Sequence, residues 1–412
     1  MNSSPWRNPA SRRDRAGARL ARREESADRA YASDEQRSPA ALHGRSNAAG
    51  LPPRAASPVM IMAGGTGGHV FPALAVARAL CDRGVDVVWL GSRRGLESRI
   101  KPPAGVAMEW LTISGLRGRG FLVWLLAPLT VGRAVLQALL IFRRVRPGVA
   151  LGMGGFVSAP GGLAAWLARV PLLIHEQNTV AGYANRLLAR FARCVLLAFP
   201  GALPVRRPCI ETGNPVRREL LSLDPPRIRF SERTGPLRIL VLGGSQGARI
   251  LNRKVPEGLA KLDAECTVLH QAGRSNTREV ESAYRRLGVK SNVRDFIVDM
   301  AQVYAWADIA VCRAGALTLA ELSVVGLGAI LVPFALAADD HQTRNAQYLV
   351  GRGAAALIAE RDLSADALAH AVEEFAANRA SALARALRAH AMARPEATDD
   401  VVKACLKARA GA

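Results

Sequence analysis

Residues 58–84 read PVMIMAGGTGGHVFPALAVARALCDRG. A short unbroken apolar run ends in glycines, as expected of a parallel strand buried on both faces. Four glycines surround Thr66, and an apolar-periodic stretch then runs to Gly84, a helix stop signal. The reading is strand, glycine turn, helix. It returns at residues 236–262, PLRILVLGGSQGARILNRKVPEGLAKL. Between the two copies, GVALGMGGFVSAPGGLAAWLARV, PLLIHEQN and RCVLLAF continue the alternation. After the second copy, CTVLHQAG, NVRDFIVDM, DIAVCRAGALTLAELSVVG and GAILVPF do the same. Strands alternating with helices imply a parallel sheet, and a restart implies two doubly wound α/β domains. The break falls near GNPVRRELLSLDPP (213–226), where prolines and charge interrupt the pattern. Ligands of such sheets bind beyond the carboxyl ends of strands. Every glycine turn lies at such an end, which predicts one shared cleft.

The 412 residues suffice for two domains, and half of them are hydrophobic. The formal net charge of +22 implies an anionic partner such as a phosphorylated substrate, an acidic membrane or nucleic acid. Aromatic residues make up only 5%, too few for a basic nucleic-acid surface interleaved with stacking rings, so no nucleic acid is expected. Residues 58–215 hold 18 Lys and Arg against 6 Asp and Glu, so the first half carries most of the excess. The six cysteines are scattered without a C-x-x-C pair, which speaks against a structural zinc site or a disulfide framework and for a reducing compartment. Residues 1–57 are rich in Arg, Ser, Ala and Pro and read as a disordered extension. They lack the apolar core of a secretory signal, and their acids speak against a transit peptide. A start assigned too far upstream would give the same stretch.

The first glycine turn fails as a dinucleotide fingerprint. Val70 stands where Gly or Ala is needed, and the second strand ends Gly91-Ser92-Arg93 rather than in an acid. No Gly-Lys-Ser/Thr follows, so it is not a P-loop. What remains is a close-approach turn feeding a helix N-terminus, suited to an anion. His69 sits at that helix start, where the dipole disfavours its protonated form and leaves a neutral imidazole able to take a proton. A structural cap is the plainer reading of His69 taken alone. HEQN (175–178) puts four polar side chains at the end of an apolar strand, which favours a site over chance packing. ADDHQTRNA (338–346) is a second polar cluster, with Gln342 and Asn345 as amide hydrogen-bonders. No Asp-x-Asp metal motif is present, so neither a metal ion nor another cofactor is expected.

Seven motifs stand in one order: GGTGGHVFPALAVA, GMGGFVSAPGG, HEQN, GNPVR, GGSQGARILN, CRAGALT-x-x-E and DDHQTRNA. In order and approximate spacing they resemble the bacterial UDP-N-acetylglucosamine transferases of peptidoglycan synthesis, the MurG family. The resemblance covers about residues 58–400. It implies the GT-B fold, two Rossmann-like domains facing a cleft. It also implies transfer of GlcNAc from UDP-GlcNAc to undecaprenyl-pyrophosphoryl-MurNAc-pentapeptide (lipid I), giving lipid II. Residues 58–216 would then be the acceptor- and membrane-facing domain, with a C-terminal helix at about 395–412 packing back on it. Residues 217–394 would bind UDP-GlcNAc.

Carried over position by position, Thr66, Gly67 and Gly68 match loop contacts to the donor, as do Asn178 and Arg217. Ser245 matches a residue near the diphosphate, and Ile297 a backbone contact to uracil. Ala316, Leu317, Thr318, Leu319, Ala320 and Glu321 match the segment around diphosphate and ribose, with Glu321 on the ribose hydroxyls. Gln342 matches the amide that reads the GlcNAc hydroxyls. His69 matches a histidine proposed to act near the acceptor and is the first choice of general base, with Glu176 the alternative. Ala314 and His341 depart from members that carry Ser and Gln there.

FLVWLLAPLTVGRAVLQALLIF (121–142) holds a single charge, Arg133, and has the length of a membrane span. Pro128, Thr130, Gly132, Arg133 and Gln137 interrupt it, and a crossover helix is needed there. Arg117, Arg119, Arg143, Arg144 and Arg146 flank it, so it reads as an interfacial helix on an anionic leaflet. One face would be packed, with Phe121, Leu122, Trp124 and Leu125 turned to lipid. The resemblance implies a peripheral enzyme on the cytoplasmic face of the inner membrane. The rivals are a UDP-GlcNAc epimerase and a transferase with a soluble acceptor, neither of which needs such a patch.

Overall fold

A computed structural model of the chain describes residues 57–113, 127–203, 208–244, 247–335, 340–376 and 378–411. The extension at 1–57, apart from Ser57, lies outside the described residues. So do Arg117, Arg119, Phe121, Leu122, Trp124, Leu125 and Ser245.

The first half runs β1 (Val59–Met62), α1 (Gly67–Cys81), β2 (Val87–Ser92), β3 (Val106–Leu111), α2 (Ala127–Val145), β4 (Val149–Gly152), α3 (Ser158–Leu167), β5 (Leu172–Glu176), α4 (Tyr183–Leu188), β6 (Cys194–Leu197) and β7 (Cys209–Glu211). Among the described residues these seven strands form one parallel sheet ordered β3-β2-β1-β4-β5-β6-β7. Val59, Met60, Ile61 and Met62 are all fully buried, so β1 is covered on both faces. Burying side chains of this size stabilises by roughly 1.5–3 kcal/mol each, which explains the unbroken apolar run. The Trp89 indole N–H donates to the Ala63 carbonyl at 2.9 Å, satisfying the one polar atom of a large core residue.

Two short helices, α5 (Arg218–Leu221) and α6 (Pro226–Ser231), lead into the second half. There follow β8 (Leu237–Leu242), α7 (Arg249–Leu259), β9 (Cys266–Gln271), α8 (Thr277–Arg286), β10 (Lys290–Arg294), α9 (Met300–Trp306), β11 (Ile309–Cys312), α10 (Ala316–Val325), β12 (Ala329–Leu331), α11 (His341–Val350), β13 (Ala355–Leu357), α12 (Ala365–Ala376), α13 (Arg379–His390) and α14 (Ala397–Ala410). The second parallel sheet is ordered β10-β9-β8-β11-β12-β13. Arg233, almost wholly buried, pairs with the fully buried Asp308 and donates to the Ala305 and Ala307 carbonyls, pinning the segment after α6 to this sheet. The last helix, α14, returns to the first half. Val401, Val402, Cys405 and Ala408 join the core of β1, β4 and α1.

Both sheets reverse direction between their first and fourth strands, β1/β4 and β8/β11. Register places Met62 beside Gly152, and Leu242 beside Cys312. The turns that follow are therefore neighbours, at the switch points where open α/β sheets hold ligands. Residues 56–412 form one compact unit, so both sets of turns belong to a single body.

Candidate functional site

The turns after β1 and β4 interlock. A Cβ on Gly155 would strike the Gly64 carbonyl oxygen, and one on Gly154 would strike the His69 ring. Both glycines have positive φ, at +80° and +94°, so this seam excludes side chains twice over. Gly65 is held on both sides. Its N–H donates to Glu97 Oε2 at 3.0 Å, and its carbonyl accepts from Leu96 N at 3.2 Å. Glu97 also accepts from Ser92 N at 2.9 Å and is only 4% exposed. An acid thus does reach the end of the second strand, five residues later than the dinucleotide pattern requires. It is spent on backbone amides beneath the turn, and Gly64, Gly91 and Gly95 leave room for it.

Beyond Gly65 the backbone turns outward. Thr66 is exposed and is the N-cap of α1, but its side chain makes no capping bond. Its carbonyl accepts from His69 N and Val70 N, both at 3.1 Å. The N–H groups of Thr66, Gly67 and Gly68 have no partner among the described residues. Three such donors at a helix N-terminus suit an anion.

His69 lies in the first turn of α1. Its Nδ1 is 3.3 Å from Gln177 Oε1, while Gln177 Nε2 donates to the Met153 carbonyl at 2.8 Å. Burial lowers the His69 pKa below its usual 6.5. Glu176, Gln177 and the Met153 carbonyl oppose that fall, and His341 adds to it. Burial, the largest cause, thus disfavours the protonated imidazole. The neighbouring His175 is fully buried and falls to about 4 for the same reason, its Nε2 2.9 Å from the Gly213 carbonyl.

Glu176 stands differently. Its Oε1 accepts from Asn178 N at 2.9 Å and Asn178 Nδ2 at 3.2 Å. Its Oε2 accepts from Gly182 N at 3.1 Å and Asn185 Nδ2 at 2.8 Å. The carboxylate is 2% exposed and clasps the loop from β5 to α4.

The second half meets this wall through side chains. Asn345, fully buried on α11, accepts at Oδ1 from Thr179 N and Thr179 Oγ1, both at 2.9 Å. Its Nδ2 donates to Asn178 Oδ1 at 3.2 Å. Asn214 donates to the Gln177 carbonyl at 3.0 Å and the Ala316 carbonyl at 3.4 Å. Arg217 bridges the two halves, with its guanidinium carbon 4.9 Å from the Phe71 ring centroid and its Nε 3.3 Å from Glu321 Oε1. Glu321 is buried, and its Oε2 accepts from Tyr304 Oη at 3.0 Å. Burial raises its pKa, opposed by Arg217 and by the Tyr304 hydrogen bond.

The predicted run Ala316 to Glu321 opens α10, but not all of it faces outward. Leu317 and Leu319 belong to the core, so what they offer a ligand is backbone. Ala320 is half-buried against that core, and Thr318 is half-buried too. Ile297 is buried, and its N–H already donates to Gln271 Oε1 at 3.1 Å, which leaves its carbonyl as the free backbone group. Gln342 Oε1 accepts from Phe334 N at 2.9 Å, so its NH2 group is the part left to a ligand. Arg313 clamps the same loop through Glu360 at 3.0 Å and the Val332 and Pro333 carbonyls. The sequence reading missed Glu97, Gln271 and Tyr304. Only the glycines around Glu97 hinted at it. Gln177 sat inside a motif already singled out. Among the described residues, no group of three or more His, Cys, Asp or Glu side chains is placed to hold a metal ion.

The glycosyltransferase family 28 N-terminal domain matches residues 59–197, and the family 28 C-terminal domain matches residues 238–401. A UDP-N-acetylglucosamine--N-acetylmuramyl-(pentapeptide) pyrophosphoryl-undecaprenol N-acetylglucosamine transferase from Nitrosococcus oceani is 52% identical over 355 residues, 86% of this chain and 99% of the relative. The transferase of that name from Marinobacter nauticus is 49% identical over 85% of this chain and 98% of its own length. The crystal structure of Acinetobacter baumannii MurG superposes with a TM-score of 0.74 at 36% identity, covering 85% of this chain and 99% of that one. The two facing parallel sheets are the GT-B fold. The chain belongs to glycosyltransferase family 28 and, within it, to the MurG family of N-acetylglucosaminyltransferases.

Proposed function

We propose that this chain transfers GlcNAc from UDP-GlcNAc to the MurNAc of undecaprenyl-pyrophosphoryl-MurNAc-pentapeptide, giving lipid II with inversion at the anomeric carbon. The observation that carries the reading is near-complete alignment with relatives of that name at about half identity. Residues 58–216 face acceptor and membrane, and residues 217–394 hold the sugar nucleotide. Glu321 takes the ribose hydroxyls, Ile297 the uracil, Gln342 the sugar, and Thr66 to Gly68 with Asn178, Arg217, Ser245 and the start of α10 surround the diphosphate.

The MurNAc hydroxyl attacks the anomeric carbon from the face opposite UDP. The new C–O bond forms as the bond to the diphosphate oxygen breaks. His69 accepts the hydroxyl proton and UDP carries off the electron pair. Free backbone N–H groups at helix starts receive the charge that develops on the diphosphate, and preorganised donors of this kind commonly supply the largest share of catalysis. Glu176, with both oxygens engaged, holds the loop rather than the proton.

Membrane contact is supported by one face. Leu129, Leu136 and Leu140 stand 68%, 63% and 65% exposed along α2, while Ala134, Ala138, Ile141 and Phe142 pack inward. Trp166 and Leu167 on α3, and Tyr183 and Leu187 on α4, extend the exposed apolar set. The exposed Arg133, Arg143, Arg146 and Arg186 flank it, and each contributes about 1 kcal/mol on an anionic leaflet. Among the described residues no helix is long and apolar enough to cross a membrane. On this reading the enzyme acts as a peripheral protein on the cytoplasmic face of the inner membrane.

The test mixes protein and UDP-GlcNAc with lipid I, with a soluble acceptor, or with none, and follows UDP. Release that depends on lipid I is expected. No release with lipid I contradicts the reading, and interconversion of UDP-GlcNAc without an acceptor points to an epimerase.

A further inference from the structure

We infer that Gln177 is a positioning residue that holds His69 in the tautomer protonated at Nδ1, leaving Nε2 as the atom that takes the acceptor proton. The inference rests on the reading of His69 as the base. It starts from the orientation of one amide. Gln177 is 2% exposed, and its Nε2 donates to the Met153 carbonyl at 2.8 Å, a bond only the NH2 end can make. That fixes Oε1 as the end facing His69 Nδ1, at 3.3 Å. An amide oxygen only accepts, so Nδ1 must be the nitrogen that carries hydrogen. The Met153 carbonyl also accepts from the ring, and among the described residues no further hydrogen bond to it is present. Gly154 lies against the same edge of the ring, where a Cβ would overlap Nδ1 and Cε1.

The arrangement is a base oriented by a third group, the logic that activates nucleophiles generally. Here the orienting group is neutral. A carboxylate at this place would stabilise imidazolium, whereas an amide fixes the tautomer without adding charge. The titratable groups facing His69 are Glu176, His175 and His341. Glu176 favours the protonated ring but is turned onto its own loop by four hydrogen bonds. His341 opposes protonation from α11.

The experiment is nitrogen NMR of the full-length protein labelled at histidine, with the His69 signals identified by their absence in His69→Ala. Signals of a neutral ring protonated at Nδ1 are expected, and a ring protonated at Nε2 overturns the proposal. Kinetics of Gln177→Leu give the second readout. A general base supplies about 10²–10⁴-fold, so loss of its tautomer should lower kcat at least about tenfold while KM for UDP-GlcNAc stays within about twofold. An unchanged kcat overturns the proposal. So does a fall in kcat matched by an equal rise in KM and a lowered Tm, since that is a structural role only. Near-normal turnover by His69→Ala removes the base reading instead, and the NMR result still decides the tautomer.

Discussion

On one side of the cleft, the turns 64–68 and 152–155 meet backbone to backbone, and the groups left over are amide N–H donors and the His69 imidazole. On the other side the polar atoms belong to side chains in charged or hydrogen-bonded pairs: Arg217 with Glu321, Glu321 with Tyr304, Arg313 with Glu360. On the proposed function, the difference follows from what each wall would meet. A diphosphate and a reacting hydroxyl need close approach and a base that is uncharged before it acts, which glycines and a half-buried histidine would supply. A nucleoside has fixed hydroxyl and amide positions, which oriented side chains recognise. Substitutions on the first wall should therefore change the rate, and those on the second should change donor affinity.

His69→Ala is the largest test of that division. Turnover should fall about 10²-fold or more, as loss of a general base does, with KM for UDP-GlcNAc little changed. In the unaltered enzyme the acidic limb of kcat/KM should lie below pH 6.5, because burial lowers the His69 pKa. Activity is present above that folded pKa and is lost as pH falls through it. A limb above 6.5 assigns the titration to another group. Gly155→Ala comes next. A Cβ there meets the Gly64 carbonyl at positive φ, two fixed backbone constraints at once. A loss of about 2–4 kcal/mol in urea unfolding is expected, in the upper range for single substitutions. A variant that unfolds like the parent would show that the two turns do not interlock in solution.

Tyr304→Phe keeps the ring and removes the hydroxyl bonded to Glu321. Hydrogen bonds to charged groups contribute about 1.5–3 kcal/mol, so KM for UDP-GlcNAc should rise about tenfold or more with kcat nearly intact. Equal affinity for UDP-GlcNAc in the two proteins would detach Glu321 from the ribose. The smallest effect belongs to the exposed pairs that cross between the halves. Arg78 and Glu219 lie 3.3 Å apart, each more than half exposed. Arg78→Ala should change stability by less than about 1 kcal/mol, as exposed ion pairs do. A larger change would mean that the junction of the halves depends on this pair.

The fold was legible because buried parallel strands leave unbroken apolar runs ending in glycine, as β1, β4 and β8 do. The edge strands of the first sheet were not. β3 (VAMEWL) is half-buried and mixes an acid into its run, while β7 (Cys209–Glu211) has three exposed residues and no pattern to read. The candidate site was legible where side chains of the motifs themselves meet a partner in it, as His69 does Gln177 and Glu321 does Arg217. It was illegible where tertiary packing decides which atom is free. Leu317 and Leu319 lie in the motif yet face the core. Glu97 looks like a surface acid until the glycines that shelter it come together in space. Gln177 and Tyr304 act through another residue, and no spacing along the chain encodes that.

A single displacement across these two unlike walls fixes the configuration of the new glycosidic bond. UDP-GlcNAc carries its sugar in the α configuration. Proton NMR of the disaccharide made from UDP-GlcNAc and lipid I should show a β-linked GlcNAc, formed one for one with UDP. An α linkage, or UDP formed without disaccharide, would contradict a single displacement.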